Sequence, residues 1–319
     1  MDDATVVYVH GNGNKVRKEL LKSRWDRALF GTDIGAASRM ACWAPVRYGT
    51  PLPDDEPDPL SGGPPSVREL PDPTVPRTPE EFIEQTLREA RRKAGPARGR
   101  RSAQAGEEQL AHWLAKMTYS AETLGRAEDA TPAPATAPAS PDLAEALPLP
   151  LFMRAPVFEL LVKLTFEDVY AYFFGGVGEE MRDVVRGELA DVPPGPLALV
   201  GHSLGSVIAY EVLREERRDV TLFVSLGSPL GITEVQDRLA LPAAVPAGVA
   251  AWSNVSDLRD LVALDHWLRP EYGPAGLVTD HLVRNDSGNH HGITEYLRSA
   301  PVQQKLRTLF GRVASHPAE

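Results

Sequence analysis

Cysteine is nearly missing from this sequence. Cys42 stands alone, which excludes an internal disulfide and a cysteine-based metal cluster and suits a reducing compartment. No apolar run is long enough to span a bilayer. Positive charge is also in short supply: 34 Lys and Arg stand against 44 Asp and Glu, a formal net charge of -10, so there is no electrostatic footprint for nucleic acid or an anionic membrane surface. A basic n-region followed by a long apolar segment is missing as well, because Met1-Asp2-Asp3 leads straight into Thr5-Val6-Val7-Tyr8-Val9. The pairs Asp265-His266 and Asp280-His281 lack a recognised ligand spacing, so no metal is expected. Together these absences set the expectation of a cytoplasmic protein with no integral membrane segment and no nucleic-acid partner.

Proline, by contrast, is abundant, with 29 residues that cluster. Residues 50–76 are Pro-Asp-Gly-Ser material and residues 131–141 a Pro-Ala-Thr linker, and neither composition can build a core. Between them Thr78-Pro79-Glu80-Glu81 offers an N-cap, a proline at the first helical position and the reciprocal glutamate of a capping box, which opens a helix running toward Gly95. A second helix is expected over 107–123, with Leu110, Trp113, Leu114 and Met117 on one side. Residues 51–155 therefore read as an insertion, a cap of two helices with flexible flanks, set into a core formed by residues 1–50 and 156–319.

Within that core, strand and helix signals alternate. Residues 5–9 read as a strand ending in the turn His10-Gly11-Asn12-Gly13-Asn14, residues 15–30 as an amphipathic helix ending at Gly31, and residues 40–46 as a second strand. Strand, helix, strand is the unit of a parallel sheet. The most apolar stretch, 152–174, reads from Pro156 onward as a helix buried against a sheet, and 179–189 as another helix. Continuous apolar runs at 197–200, 220–226 and 249–255 read as buried strands, 277–283 as a last strand and 301–313 as a closing helix. The expected fold class is α/β: a mainly parallel central sheet with helices on both faces and a long insertion.

The stretch from Leu197 to Leu213 carries the chemistry. An apolar run enters Gly201-His202-Ser203-Leu204-Gly205, and a helix-compatible sequence leaves it. A serine on a sharp strand-to-helix turn is strained, and residues two positions either side would collide unless they are glycine. Such a turn sets the backbone N–H of Leu204 and the helix N-terminus beside Ser203 Oγ, where an oxyanion forms during acyl transfer. Ser203 is the candidate nucleophile. It needs a base and an acid to orient that base. Past the elbow the sequence offers His266, His281, His290 and His291, and the loop after the 252–255 strand offers Asp257, Asp260 and Asp265.

Four segments then resemble the α/β-hydrolase fold serine hydrolases, specifically the bacterial lipase- and esterase-like members: Val6-Val7-Tyr8-Val9-His10-Gly11, Leu199 through Gly205, Trp252 through Ala263, and His290 through Leu297. That resemblance implies the chain order Ser, acid, His. It implies Asp260 as the acid, ahead of Leu261-Val262-Ala263 where similar sequences show Asp, Pro, Val, Ala; this chain has Leu for the Pro. It implies His291 as the base, since His291 to Tyr296 has the spacing His, four residues, Tyr, with His290 as its rival. His10-Gly11 resembles the family's His-Gly signature and implies an oxyanion hole from the backbone N–H groups of Asn12 and Leu204, which leaves the Asn12 side chain free to vary. The implied activity is cleavage of a small-molecule or lipid carboxylic ester through an acyl-enzyme, without a cofactor. The same scaffold carries amidases, thioesterases, acyltransferases and non-catalytic binding modules, and residues 50–155 match nothing in the family, so substrate and protein partner stay open.

Overall fold

The computed structural model describes residues 4–58, 60, 78–94, 100–129 and 151–314. Much of the proline-rich sequence, including all of 131–141, lies outside the described residues. In chain order the elements are β1 (Thr5–Val9), α1 (Lys18–Phe30), β2 (Ser38–Ala41), α2 (Ala44–Arg47), α3 (Pro79–Ala94), α4 (Arg100–Asp129), α5 (Leu151–Phe174), α6 (Gly178–Ala190), β3 (Leu197–His202), α7 (Leu204–Glu215), β4 (Leu222–Leu226), α8 (Thr233–Gln236), β5 (Trp252–Ser256), β6 (Val278–Leu282), α9 (Ile293–Arg298) and α10 (Ala300–Ala314).

The six strands form one sheet in the order β2-β1-β3-β4-β5-β6, and every pairing is parallel. The continuous apolar runs have a simple cause: both faces of the sheet are covered. Along β1, Val7 and Val9 join one apolar cluster with α5, α6 and α7, while Val6 and Tyr8 join another with α1, α9 and α10. The α/β class expected from the sequence is thus the architecture observed. Because all strands run the same way, the loops that follow β1, β3, β4 and β5 gather at one end of the sheet, the end where open α/β sheets hold their ligands.

Several boundaries differ from the sequence reading. The second strand stops at Ala41, and residues 44–47 turn into α2 with Pro45 in its first turn. The cause is a pair of bonds to the end of β1: Trp43 Nε1 donates to the His10 carbonyl at 2.8 Å and Ala44 N donates to His10 Nε2 at 3.1 Å. α5 begins at Leu151, so Pro156 lies within it. Residues 249–251 stay outside β5, with Val249 joined to Val220 by a single parallel bridge.

The capping box forms as read: Glu81 N donates to Thr78 Oγ1 at 3.2 Å and Thr78 N to Glu81 Oε2 at 3.1 Å. The stripe of α4 is fully buried, and Leu110, Trp113, Leu114 and Met117 belong to the same apolar cluster as Val7, Val9 and Leu204. The helices of the insertion are therefore continuous with the core on that face of the sheet. No helix among the described residues is long and apolar enough to cross a membrane.

Candidate active site

β3 and α7 meet at Ser203, whose φ of 52° and ψ of -130° fall where residues with a Cβ are strained. The turn is held by its surroundings. Ser203 N donates to the Leu226 carbonyl at 2.9 Å, and Ser206 N and Oγ both donate to the Ser203 carbonyl, at 2.9 and 2.5 Å. Gly205 presses on β1 so closely that a Cβ there would lie 2.3 Å from the His10 carbonyl oxygen. Ser203 is fully buried, and its Oγ has no hydrogen-bond partner among the described residues.

Leu226, which holds Ser203 N, is followed by Gly227 at φ 51°, and a Cβ on Gly227 would lie 2.7 Å from Asp260 Oδ2 and 2.8 Å from His291 Nδ1. Those two atoms face each other: His291 Nδ1–H donates to Asp260 Oδ2 at 2.7 Å, with both side chains buried. The same Oδ2 accepts from Tyr296 O–H at 2.5 Å, and Oδ1 accepts from the backbone N–H of Val262 at 2.9 Å and of Ala263 at 3.3 Å. Four donors thus fix the carboxylate, and the bond to Asp260 places a proton on His291 Nδ1. Tyr296 is buried and its hydroxyl accepts from Asp257 N at 3.1 Å. Burial, then the charge of Asp260, holds the Tyr296 phenol well above its ordinary range, so it remains a donor.

A second histidine ties the two halves together. His202 Nε2–H donates to the His291 carbonyl at 2.9 Å, and the two rings lie 4.5 Å apart. Burial first, then neighbouring His291 and Lys15, holds His202 well below the usual imidazole value, so it is neutral at physiological pH.

The loop after β1 lies against the elbow, since a Cβ on Gly11 would sit 2.8 Å from Ser203 Cβ. This loop is tied at several points. His10 Nδ1–H donates to the Gly11 carbonyl at 2.7 Å, Trp43 holds the His10 carbonyl, and Gly13 N donates to Asp168 Oδ2 at 2.6 Å. Lys15 Nζ donates to the Asn12 carbonyl and forms a 2.7 Å ion pair with Asp58. Asp168, on α5, also accepts from Arg47 Nε at 3.1 Å and Tyr48 O–H at 2.9 Å. Burial and then Lys15 push the His10 imidazole down to about 3, so this ring is a neutral strut stacked on Trp43.

The remaining sequence candidates take other places. His290 sits at φ 56° and gives its Nδ1–H to the Asn285 carbonyl at 3.0 Å, so it is His291 that meets Asp260. Asp257 pairs with Arg259 at 2.7 Å; burial opposes its ionisation, but Arg259 and backbone donors outweigh that and hold its carboxyl below the ordinary value. Asp265 caps Trp267 N at 3.1 Å, and Asp280 accepts from Leu268 N and Arg269 N, both at 3.0 Å. The sequence reading gave no role to Asp168, Lys15 or His202. One signal was available for Asp168: a charged pair, Glu167-Asp168, inside the most apolar stretch of the chain.

Two cavities adjoin these segments. One of about 270 Å³ is lined by Lys15, Trp25 and Asp58 on one side and Ile293 and Thr294 on the other. The second, about 370 Å³, lies between Tyr119 and Leu124 of α4 and the loop after β5, at Leu258, Asp260, Leu261 and Leu264. No protein-family model matches the chain, and no curated protein matches it either.

Proposed function

We propose that this chain is a serine hydrolase that cleaves carboxylic esters, with Ser203 as nucleophile, His291 as base and Asp260 as the acid that orients it. The observation that carries the reading is the 2.7 Å Asp260–His291 pair resting on Gly227, next to the residue whose carbonyl holds the backbone of a strained, buried Ser203. In this mechanism Ser203 Oγ attacks the ester carbonyl carbon while its proton passes to His291 Nε2. The carbonyl oxygen becomes an oxyanion beside the backbone N–H groups of Asn12 and Leu204 and the N-terminus of α7. Collapse of the tetrahedral intermediate breaks the C–O bond, and the departing alcohol takes the proton from His291. A water molecule repeats the sequence on the acyl-enzyme and releases the carboxylic acid. Asp260 orients the imidazole and stabilises the transient imidazolium.

The test is labelling with a fluorophosphonate followed by peptide mapping, alongside turnover of a p-nitrophenyl ester series of increasing acyl length. The expected adduct is on Ser203, and Ser203→Ala abolishes both labelling and turnover. Labelling that persists in Ser203→Ala removes the assignment, and no turnover of any acyl ester, thioester or amide with Ser203 unlabelled favours a binding module on this scaffold.

A further inference from the structure

Asn12 is 3% exposed, yet neither its side-chain Oδ1 nor its Nδ2 has a hydrogen-bond partner among the described residues. Native structures pair nearly all such groups, because a buried amide left unpaired loses its water without compensation. Both atoms are unpaired, so exchanging the oxygen and nitrogen leaves the observation unchanged. A slack loop is not the cause. The neighbouring backbone is held by Trp43, Asp168 and Lys15, and the carbonyl of Asn12 itself is engaged. Asn12 directly follows Gly11, which packs on Ser203 Cβ, and Ser203 Oγ is likewise buried without a partner among the described residues, as is Nε1 of Trp25, whose ring lies 6.4 Å from that of His202.

We infer that the Asn12 side chain reads the substrate, and that the substrate carries an N–H or O–H donor close to its scissile carbonyl. This rests on the hydrolase reading above and narrows it. The decisive atom is Oδ1. Any ester or amide carbonyl can accept from Nδ2, but only a donor can satisfy Oδ1, and a plain alkyl ester has none. A buried polar site rejects an analogue that lacks the matching group far more strongly than an apolar pocket rejects a missing methylene. α-Hydroxyacyl and α-acylamino acyl groups carry such a donor on the carbon next to the carbonyl. Simple fatty acyl groups do not.

Two matched pairs of p-nitrophenyl esters test this with the full chain, each rate normalised to hydroxide-catalysed hydrolysis. N-acetylalanyl against O-acetyllactyl exchanges N–H for O, and lactyl against O-methyllactyl removes O–H. The expected result is a kcat/KM preference of about 10-fold or more for the donor-bearing member of at least one pair. Asn12→Ala, and the space-filling Asn12→Leu, then bring that ratio to within about twofold of unity. A wild-type ratio near unity in both pairs overturns the inference, as does a preference that survives both substitutions. An equal loss on all four esters also overturns it, since it assigns Asn12 to general transition-state stabilisation or to folding. No turnover with Ser203 unlabelled by fluorophosphonate removes the hydrolase reading and this inference together, whereas labelling with an unchanged ratio removes this inference alone.

Discussion

Asp260 and Asn12 are both buried polar side chains on loops at the same end of one sheet, and the fold treats them in opposite ways. Asp260 receives four hydrogen bonds, from His291, Tyr296, Val262 and Ala263. Among the described residues the side-chain amide of Asn12 makes none, and neither does Ser203 Oγ. The backbone of both loops is tied by hydrogen bonds, so the contrast lies in the side chains. On the hydrolase reading proposed above, bonds accumulate on the group whose orientation must persist through a reaction cycle, and the groups left without partners are those that would meet the reactant. A carboxylate fixed in this way needs no reorganisation when charge develops on its partner.

The saturated side of this contrast is expected to break most severely at Asp260. Asp260→Asn preserves shape but reverses one donor–acceptor role, and kcat is expected to fall by about 10⁴ with KM little changed. Steady-state kinetics check this, and a loss under about tenfold would show that the carboxylate is structural. Next in size is Asp168→Ala, which strips partners from Gly13 N–H, Arg47 and Tyr48. Removing one member of a buried ion pair typically costs about 3–5 kcal/mol, so chemical denaturation should show a large destabilisation, with kcat falling as the loop after β1 loosens. An unchanged kcat in the protein that remains folded would mean that the pinning of this loop does not serve catalysis.

Tyr296→Phe sharpens the contrast rather than destroying it. It removes one donor from Asp260 Oδ2 and leaves Asp257 N without its acceptor, for an expected loss of about tenfold in kcat. The low-field proton resonance of His291 Nδ1–H should move downfield, because His291 no longer shares that oxygen. A purely structural tyrosine would leave the resonance where it was.

The smallest effect concerns pH. His10 and His202 are both held below the ordinary imidazole value, chiefly by burial, to about 3 in the case of His10. Below about 6.5 the unfolded chain takes up protons at these rings while the folded chain does not. The unfolded state then binds more protons, so stability falls as pH drops from about 6.5 toward about 3, by roughly 1 kcal/mol per pH unit for His10, and His202 acts in the same direction. Urea denaturation at pH 7.5 and pH 5 measures the slope, and His10→Gln should remove its share. An identical slope in that variant would show that His10 accepts a proton in the folded state.

The parallel sheet was legible because fully buried strands write themselves as unbroken apolar runs, as in Leu197-Ala198-Leu199-Val200. The elbow was legible because its geometry admits so few residue types at 201 and 205. The order of Asp260 and His291 after Ser203 came from resemblance, and their 2.7 Å meeting is long-range, 31 residues apart in the chain. No periodicity carries that information. Asp168 escaped for the same reason, since its partners at Gly13, Arg47 and Tyr48 are more than a hundred positions away. The apolar stripe of α4 was visible, but a stripe says only that it must be covered. Trp113 and Leu114 are covered within the cluster that backs the sheet, so what reads as a separate cap is joined to the core.

The bond from Gly13 N–H to Asp168 Oδ2 closes a loop of 155 residues. Contacts so distant in sequence are entropically the last to reward the chain. During synthesis β1 and its turn emerge before α5, yet the turn cannot take its final form until α5 has left the ribosome, and Ser203 is made only 35 residues after Asp168. The turn after β1 therefore waits for α5, and a chain cut before Asp168 cannot hold that turn in its final form.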